Sequence, residues 1–307
     1  MVDDNIRGVM VPILTPLTPE EQVDKDSLRR LLDYLIAGGV HGIWAAGTTG
    51  EFAALAGDQQ VEVIETVVEE VAGRLPVIAN ISAPSTKLTV NIGQAVRQIG
   101  LDGVAATPPY YYPCAQDEIL DHYRYINDRV GIPLWVYNIP VTVKTVVEPQ
   151  TIAHLAAEGT VVGVKDSSGA GELFAQLKVL CDQNGIELYR FLGTMYRVTS
   201  TRSVGGHGVI PGIANLIPSI IAKAWEAGER RDEDAARKLD AQILEANKIM
   251  HLARGGGPNA ASFSGMKSAL KSMGIINCDT VSRPLRPLTS EEKEPIMSII
   301  KCLGIGE

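Results

Sequence analysis

A lysine at the end of an apolar run carries the first chemical signal in this sequence. "VVGVKDSS", residues 161–168, leads apolar and small residues into Lys165, followed by Asp166 and two serines. The run reads as a buried strand, and an ammonium is among the last groups a protein interior accepts. A snorkelling side chain or an ion pair with Asp166 is one explanation. A reactive amine is the other. Free lysine titrates near ~10.4 and is mostly wasted as ammonium at neutral pH, whereas a low-dielectric site disfavours the charged form. Condensed with a 2-oxo acid, such an amine gives a protonated imine. That cation is an electron sink for carbanion or enamine chemistry at the adjacent carbon, with no metal and no separate cofactor. His41, His122, His154, His207 and His251 are dispersed, without H-x-H or H-E-x-x-H, so no metal site is read.

Imine chemistry needs a proton shuttle and an anchor for the substrate carboxylate. Tyr137, in "YNIP" (137–140), ends an apolar run, and a phenol can act as acid and base. In "GTTGE" (47–51), Gly47 and Gly50 permit a tight turn whose backbone N–H groups can face an anion. The Thr48 and Thr49 hydroxyls add donors and acceptors.

These residues need a scaffold that brings strand ends together. Apolar runs at 8–17, 42–48, 76–82, 102–109, 133–140, 161–167, 188–194 and 206–212 alternate with amphipathic segments. In "SLRRLLDYLIAGG", for example, Leu28, Leu31, Leu32 and Leu35 share one helical face. Eight βα units in little more than 200 residues predict a (β/α)₈ TIM barrel with a C-terminal helical extension. A doubly wound sheet would more often carry a Gly-rich loop after its first strand, and "LTPLTPEEQVD" has none. The division expected is a catalytic barrel over 1–226 and an extension over 227–307, the latter interrupted by "RGGGPN" (254–259). In such a barrel, chemistry sits at the carboxyl ends of the strands, where Thr48, Tyr137 and Lys165 all fall.

Composition agrees with an enzyme of small molecules. The chain has 307 residues, 45% hydrophobic and 21% charged, enough for a large core. Its net charge of −8 is spread along the chain and offers no footprint for nucleic acid or an anionic membrane. Four separated cysteines without C-x-x-C suit reduced thiols. "MVDDNIRGVMVP" has no signal-peptide core and no window approaches the ~18–20 apolar residues of a span, so a soluble, cytoplasmic protein is expected.

"GTTGE", the tyrosines before Pro113, "YNIP", "GVKDSSG" and "GGHGVI" follow one another as in the dihydrodipicolinate synthase/N-acetylneuraminate lyase family, which the chain resembles over nearly its whole length. The resemblance implies a Schiff-base pyruvate aldolase or dehydratase on a (β/α)₈ barrel. It implies Lys165 as the imine former, Tyr137 as proton donor and acceptor, and Thr48 as the link to a second tyrosine. Thr49 and neighbouring amides would hold the carboxylate, and Ile210 would lie beside the pyruvate pocket. Aligned on Pro113 the second tyrosine is Tyr111, with Tyr110 as the alternative one residue away. In many members it crosses a dimer interface, which implies a homo-oligomer, a dimer of dimers.

The second substrate is where the chain departs from its prototypes. Thr142 stands where dihydrodipicolinate synthases usually carry an arginine for the aldehyde's carboxylate, and threonine cannot make that bidentate contact. Sialic acid lyases usually show an Asp-Glu pair after the strand-7 glycine and a serine after strand 8. Here Gly193 precedes "TMYR", with Met195 and Tyr196 forming an apolar wall, and Gly212 takes the serine position. The expectation is reversible aldol cleavage of a 4-hydroxy-2-oxo acid to pyruvate and an aldehyde. A 2-keto-3-deoxy sugar acid dehydratase, a dihydrodipicolinate synthase-type condensation and a non-catalytic binding protein are the alternatives. A phosphosugar barrel fits poorly, because "GIANLIPS" (212–219) brings no basic side chain.

Overall fold

All eight apolar runs become parallel strands in the computed structural model, which describes residues 6–169 and 171–306. They are β1 (Gly8–Pro12), β2 (Gly42–Ala45), β3 (Val77–Asn80), β4 (Gly103–Ala106), β5 (Leu134–Asn138), β6 (Gly163–Asp166), β7 (Tyr189–Leu192) and β8 (Gly208–Val209). Each pairs with the next and β8 closes on β1, giving a barrel. The strands are mainly apolar because one face points into the barrel and the other packs under helices, and the polar residues of β3, β5 and β6, Lys165 among them, gather toward the carboxyl ends. The acidic start, residues 1–5, lies outside the described residues.

The outer layer comprises α1 (Lys25–Ala37), α2 (Gly57–Val71), α3 (Thr86–Ala95), α4 (Gln116–Val130), a short α5 (Pro140–Val143), α6 (Pro149–Ala157), α7 (Gly171–Asn184) and α8 (Pro218–Arg230). Local chemistry starts these helices: Asp24 caps α1 by accepting the Ser27 N–H at 3.0 Å, and Pro218 opens α8. The expected division at 226/227 falls inside α8, which runs on to Arg230. Gly228 is a packing glycine there, since a Cβ would sit 2.2 Å from the Thr199 carbonyl oxygen. The extension that follows contains α9 (Glu233–Asn247), α10 (Pro258–Ser272), α11 (Ser290–Lys293) and α12 (Ile296–Leu303). Its buried Phe263, Met266, Leu270 and Ile300 belong to the same apolar cluster as the barrel's outer face.

Inside the barrel a second cluster, including Met10, Trp44, Trp135, Tyr137, Tyr189, Phe191 and Ile210, fills the bore. Trp135 owes its place to its neighbours: a Cβ on Gly163 would meet its ring at 2.5 Å and one on Gly103 its Nε1 at 3.1 Å. The aromatic plug therefore closes the lower bore and leaves the chemistry to the carboxyl-terminal mouth.

Candidate active site

Strand alternation decides what Lys165 and Asp166 do. In register with Tyr137 on β5 and Phe191 on β7, Lys165 points into the bore. Asp166 points outward, where its carboxylate accepts from Asn138 Nδ2 at 2.9 Å and from the Ser168 N–H and hydroxyl at 3.2 and 3.0 Å. The two adjacent residues therefore form no ion pair. Lys165 is 3% exposed, with Nζ 4.2 Å from the Tyr137 ring centroid and 4.9 Å from that of Trp44. No carboxylate comes within ion-pair distance among the described residues. Burial without a counter-charge pulls its pKa down to about 7.

Tyr137 sits beside it with its hydroxyl 3.0 Å from Thr48 Oγ1. Burial pushes the phenol up to about 12, against the lowering effect of hydrogen bonds from Thr48 and Ser167. The ring is held edge-on against Trp44 at a centroid distance of 5.6 Å. Tyr137 therefore enters any neutral-pH reaction protonated, next to an amine that is substantially neutral.

The turn after β2 supplies the complement. Gly47 and Thr48 carbonyls accept from the N–H groups of Gly50 and Glu51 at 3.0 Å, which turns the chain back on itself. A side chain on Gly47 would press on the Trp44 indole, with a Cβ only 2.9 Å from its ring. The backbone N–H groups of Thr48 and Thr49 donate to no protein acceptor among the described residues. Two consecutive unclaimed donors beside a buried amine suit a carboxylate. Gly212 lies against Thr49: a Cβ there would be 3.5 Å from Thr49 Oγ1. Ile210 is buried in the same interior cluster as Tyr137.

The turn is locked from the extension by a pair of residues that sequence reading did not single out. Glu51 adopts a left-handed conformation with φ of 62°. Its carboxylate meets Lys267 Nζ of α10 at 2.5 Å and accepts the Ser282 N–H at 2.6 Å. Lys267 also donates to the Thr280 carbonyl at 2.7 Å. Lys267 follows Phe263 and Met266 on the buried side of α10, so a charge at a core position was the available signal. Ser167, which hydrogen-bonds Tyr137, and Trp44, whose ring flanks Lys165, are two further site residues that no motif marks. Gly193 makes room for Ser167, since a Cβ there would fall 1.9 Å from its Oγ.

The remaining expectations divide. Tyr111 is 76% exposed and faces Tyr112, so within one chain it does not reach Thr48. Tyr110 lines a cavity with Thr48 and packs edge-on against Phe52. Thr142 lines that same cavity, whereas Gly193 and Tyr196 line a different one together with Ser167. Met195 lines neither of them and packs against the outer core, so the wall expected from Met195 and Tyr196 does not form over the lysine. Lys144 turns away, donating to the Val141 carbonyl at 2.9 Å. Among the described residues no group of three His, Cys, Asp or Glu side chains is placed to hold a metal ion. No described helix is long and apolar enough to cross a membrane.

The model of the dihydrodipicolinate synthetase family matches residues 5–303. The chain belongs to this family. The 4-hydroxy-tetrahydrodipicolinate synthase of Pelobacter propionicus is 31% identical over 299 residues, covering 97% of this chain and 99% of the relative. The dihydrodipicolinate synthase structure from Bacteroides thetaiotaomicron superposes with a TM-score of 0.90 at 29% identity, covering 97% and 98% of the two chains. A chloride-inhibited dihydrodipicolinate synthase from Acinetobacter baumannii, solved with pyruvate, gives 0.86 at 28% identity, covering 98% and 99%. As a member of the dihydrodipicolinate synthetase family, the chain is a pyruvate-dependent Schiff-base lyase of the aldolase type. Enzymes of this family use the lysine imine itself as the electron sink and need no added cofactor.

Proposed function

We propose that the protein catalyses the reversible cleavage of a 4-hydroxy-2-oxo acid to pyruvate and an aldehyde through an imine on Lys165. The observation that carries this reading is a buried lysine without a counter-charge, facing a Tyr137–Thr48 hydrogen bond and two unclaimed backbone donors. The neutral Lys165 amine attacks C2 of the oxo acid, whose carboxylate is held by the Thr48 and Thr49 N–H groups. The carbinolamine loses water, with Tyr137 passing the proton to the departing hydroxyl. Tyr137, now a phenolate bonded to Thr48, then accepts the proton of the C4 hydroxyl. The C3–C4 bond breaks, its electron pair flows into the iminium to give an enamine, and the aldehyde leaves. Protonation of C3 and hydrolysis return pyruvate and the free lysine. The rings of Trp44 and Tyr137 flank the cationic intermediate, a place where π-faces favour positive charge.

Condensation with a carboxylated aldehyde is the second reading, since the curated relatives are named 4-hydroxy-tetrahydrodipicolinate synthase. Thr142, in place of an arginine, speaks against it. The exposed Tyr111 and Tyr112, with Leu88 also exposed, support a homo-oligomer in which a tyrosine completes a neighbour's site. The deciding experiment incubates the enzyme with candidate 4-hydroxy-2-oxo acids and identifies products by mass spectrometry. Release of pyruvate with a new aldehyde is expected. A dehydrated oxo acid without aldehyde would reassign the enzyme as a dehydratase.

A further inference from the structure

We propose that the aldehyde partner is uncharged and mainly apolar, no larger than a singly substituted ring, and that it sits in the cavity opening on Thr48. The inference rests on the Schiff-base reading above and adds the chemical class of the second substrate. The cavity, of about 220 Å³, is a partly open cleft between the β2 turn, α5 and α10. Pockets for drug-sized ligands run to roughly 300–1,000 Å³, so this one takes something smaller. Phe52, Ala54, Ile139, Val143, Phe263 and Leu285 give it a mainly apolar wall.

Charge is excluded by what the wall lacks. Among the described residues no lysine, arginine or histidine lines the cavity, and the one carboxylate that does, Glu51, is engaged by Lys267 and the Ser282 N–H. A carboxylate or phosphate on the aldehyde would lose its hydration with nothing to replace it. A polyol would need a partner for each hydroxyl it buries, and a mainly apolar wall serves only a few of them. Beside the polar groups of Thr48, Tyr110, Thr142 and Asn259, the wall holds one buried hydroxyl that is left unpaired. Thr107 is fully buried, its N–H donates to Ser82 Oγ at 2.8 Å, and its carbonyl accepts from His122 Nε2 at 3.1 Å. Its hydroxyl has no partner among the described residues, which fits a single hydrogen-bonding substituent on the aldehyde.

In the condensing direction, the enamine C3 of lysine-bound pyruvate attacks the aldehyde carbon. The carbonyl π-electrons move to oxygen, which takes the Tyr137 proton as the new C–C bond forms. Water hydrolyses the resulting iminium, releasing the 4-hydroxy-2-oxo acid and restoring both residues.

The test offers the enzyme pyruvate with benzaldehyde, a hydroxybenzaldehyde, isobutyraldehyde, glyceraldehyde and succinic semialdehyde. Borohydride trapping of pyruvate on Lys165 is run in parallel. The proposal expects kcat/KM for the best apolar aldehyde to exceed those for glyceraldehyde and succinic semialdehyde by about tenfold or more. Thr142→Arg should move that preference toward succinic semialdehyde by at least about tenfold, because it supplies the missing cation. Equal or better use of glyceraldehyde or succinic semialdehyde by the wild-type enzyme overturns the proposal, as does no turnover of any apolar aldehyde. If pyruvate traps on Lys165 while the preference is wrong, only the aldehyde class fails. If nothing traps, the Schiff-base reading fails and this proposal with it.

Discussion

Two lysines of this chain are buried alike and have different fates. Lys267 is met by Glu51 at 2.5 Å, whereas Lys165 faces aromatic rings and, among the described residues, no carboxylate. The pKa of Lys165, lowered to about 7, has two consequences. Imine formation needs the neutral amine, so kcat/KM for the 2-oxo acid should rise with pH along a limb centred near 7, measured over pH 5–9. Stability should follow the same group. Between pH 7 and the ordinary lysine value of ~10.4 the unfolded chain binds the proton and the folded one does not, so folding gains with rising pH across that window. The cost of burying the charge is therefore full below pH 7. Lys165→Met should stabilise the protein by a few kcal/mol at pH 6 and by less at pH 9, read from urea unfolding. Tyr137→Phe should lower kcat by roughly 10²–10⁴-fold and slow imine formation with pyruvate without abolishing it, since Lys165 is still present. An unchanged kcat would remove Tyr137 from the proton relay.

At the scale of elements, the strand ends of β2, β5 and β6 hold Thr48, Tyr137 and Lys165, and α10 secures the first of these from outside the barrel. Removing one member of a buried ion pair strands the other, so Lys267→Met should cost about 3–5 kcal/mol of stability. A loss under about 1 kcal/mol on urea unfolding would show that Glu51 needs no partner. The strands were legible because a parallel barrel demands apolar runs, and the lysine stood out against such a run. The GTTG turn and Tyr137 were legible by chemistry at strand ends. Three things were not. The short helix α5 that carries Thr142 and Val143 has too few residues to show periodicity. The Glu51–Lys267 contact joins positions 216 residues apart, which no local pattern encodes. Met195 and Tyr196 are adjacent in sequence, which predicts one shared wall, and the loop after β7 sends them to different surroundings.

On the scale of the whole molecule, the barrel and the extension share one apolar cluster, and the extension reaches back to cover the site with Phe263 and Leu285. Tyr111 and Tyr112 project from the mouth with most of their surface exposed. A large aromatic pair left uncovered beside the active site suits burial by another copy. Sedimentation velocity should therefore give a mass that is a multiple of 32.9 kDa, and Tyr111→Ala should lower both that mass and kcat. A monomer with full activity would detach Tyr111 from catalysis. The measurement that bears most directly on the whole account is borohydride reduction in the presence of pyruvate, followed by peptide mass spectrometry. The account predicts a stable pyruvate-derived adduct on the peptide carrying Lys165, and none on the equally buried Lys267. An unmodified Lys165 in the folded protein would contradict it.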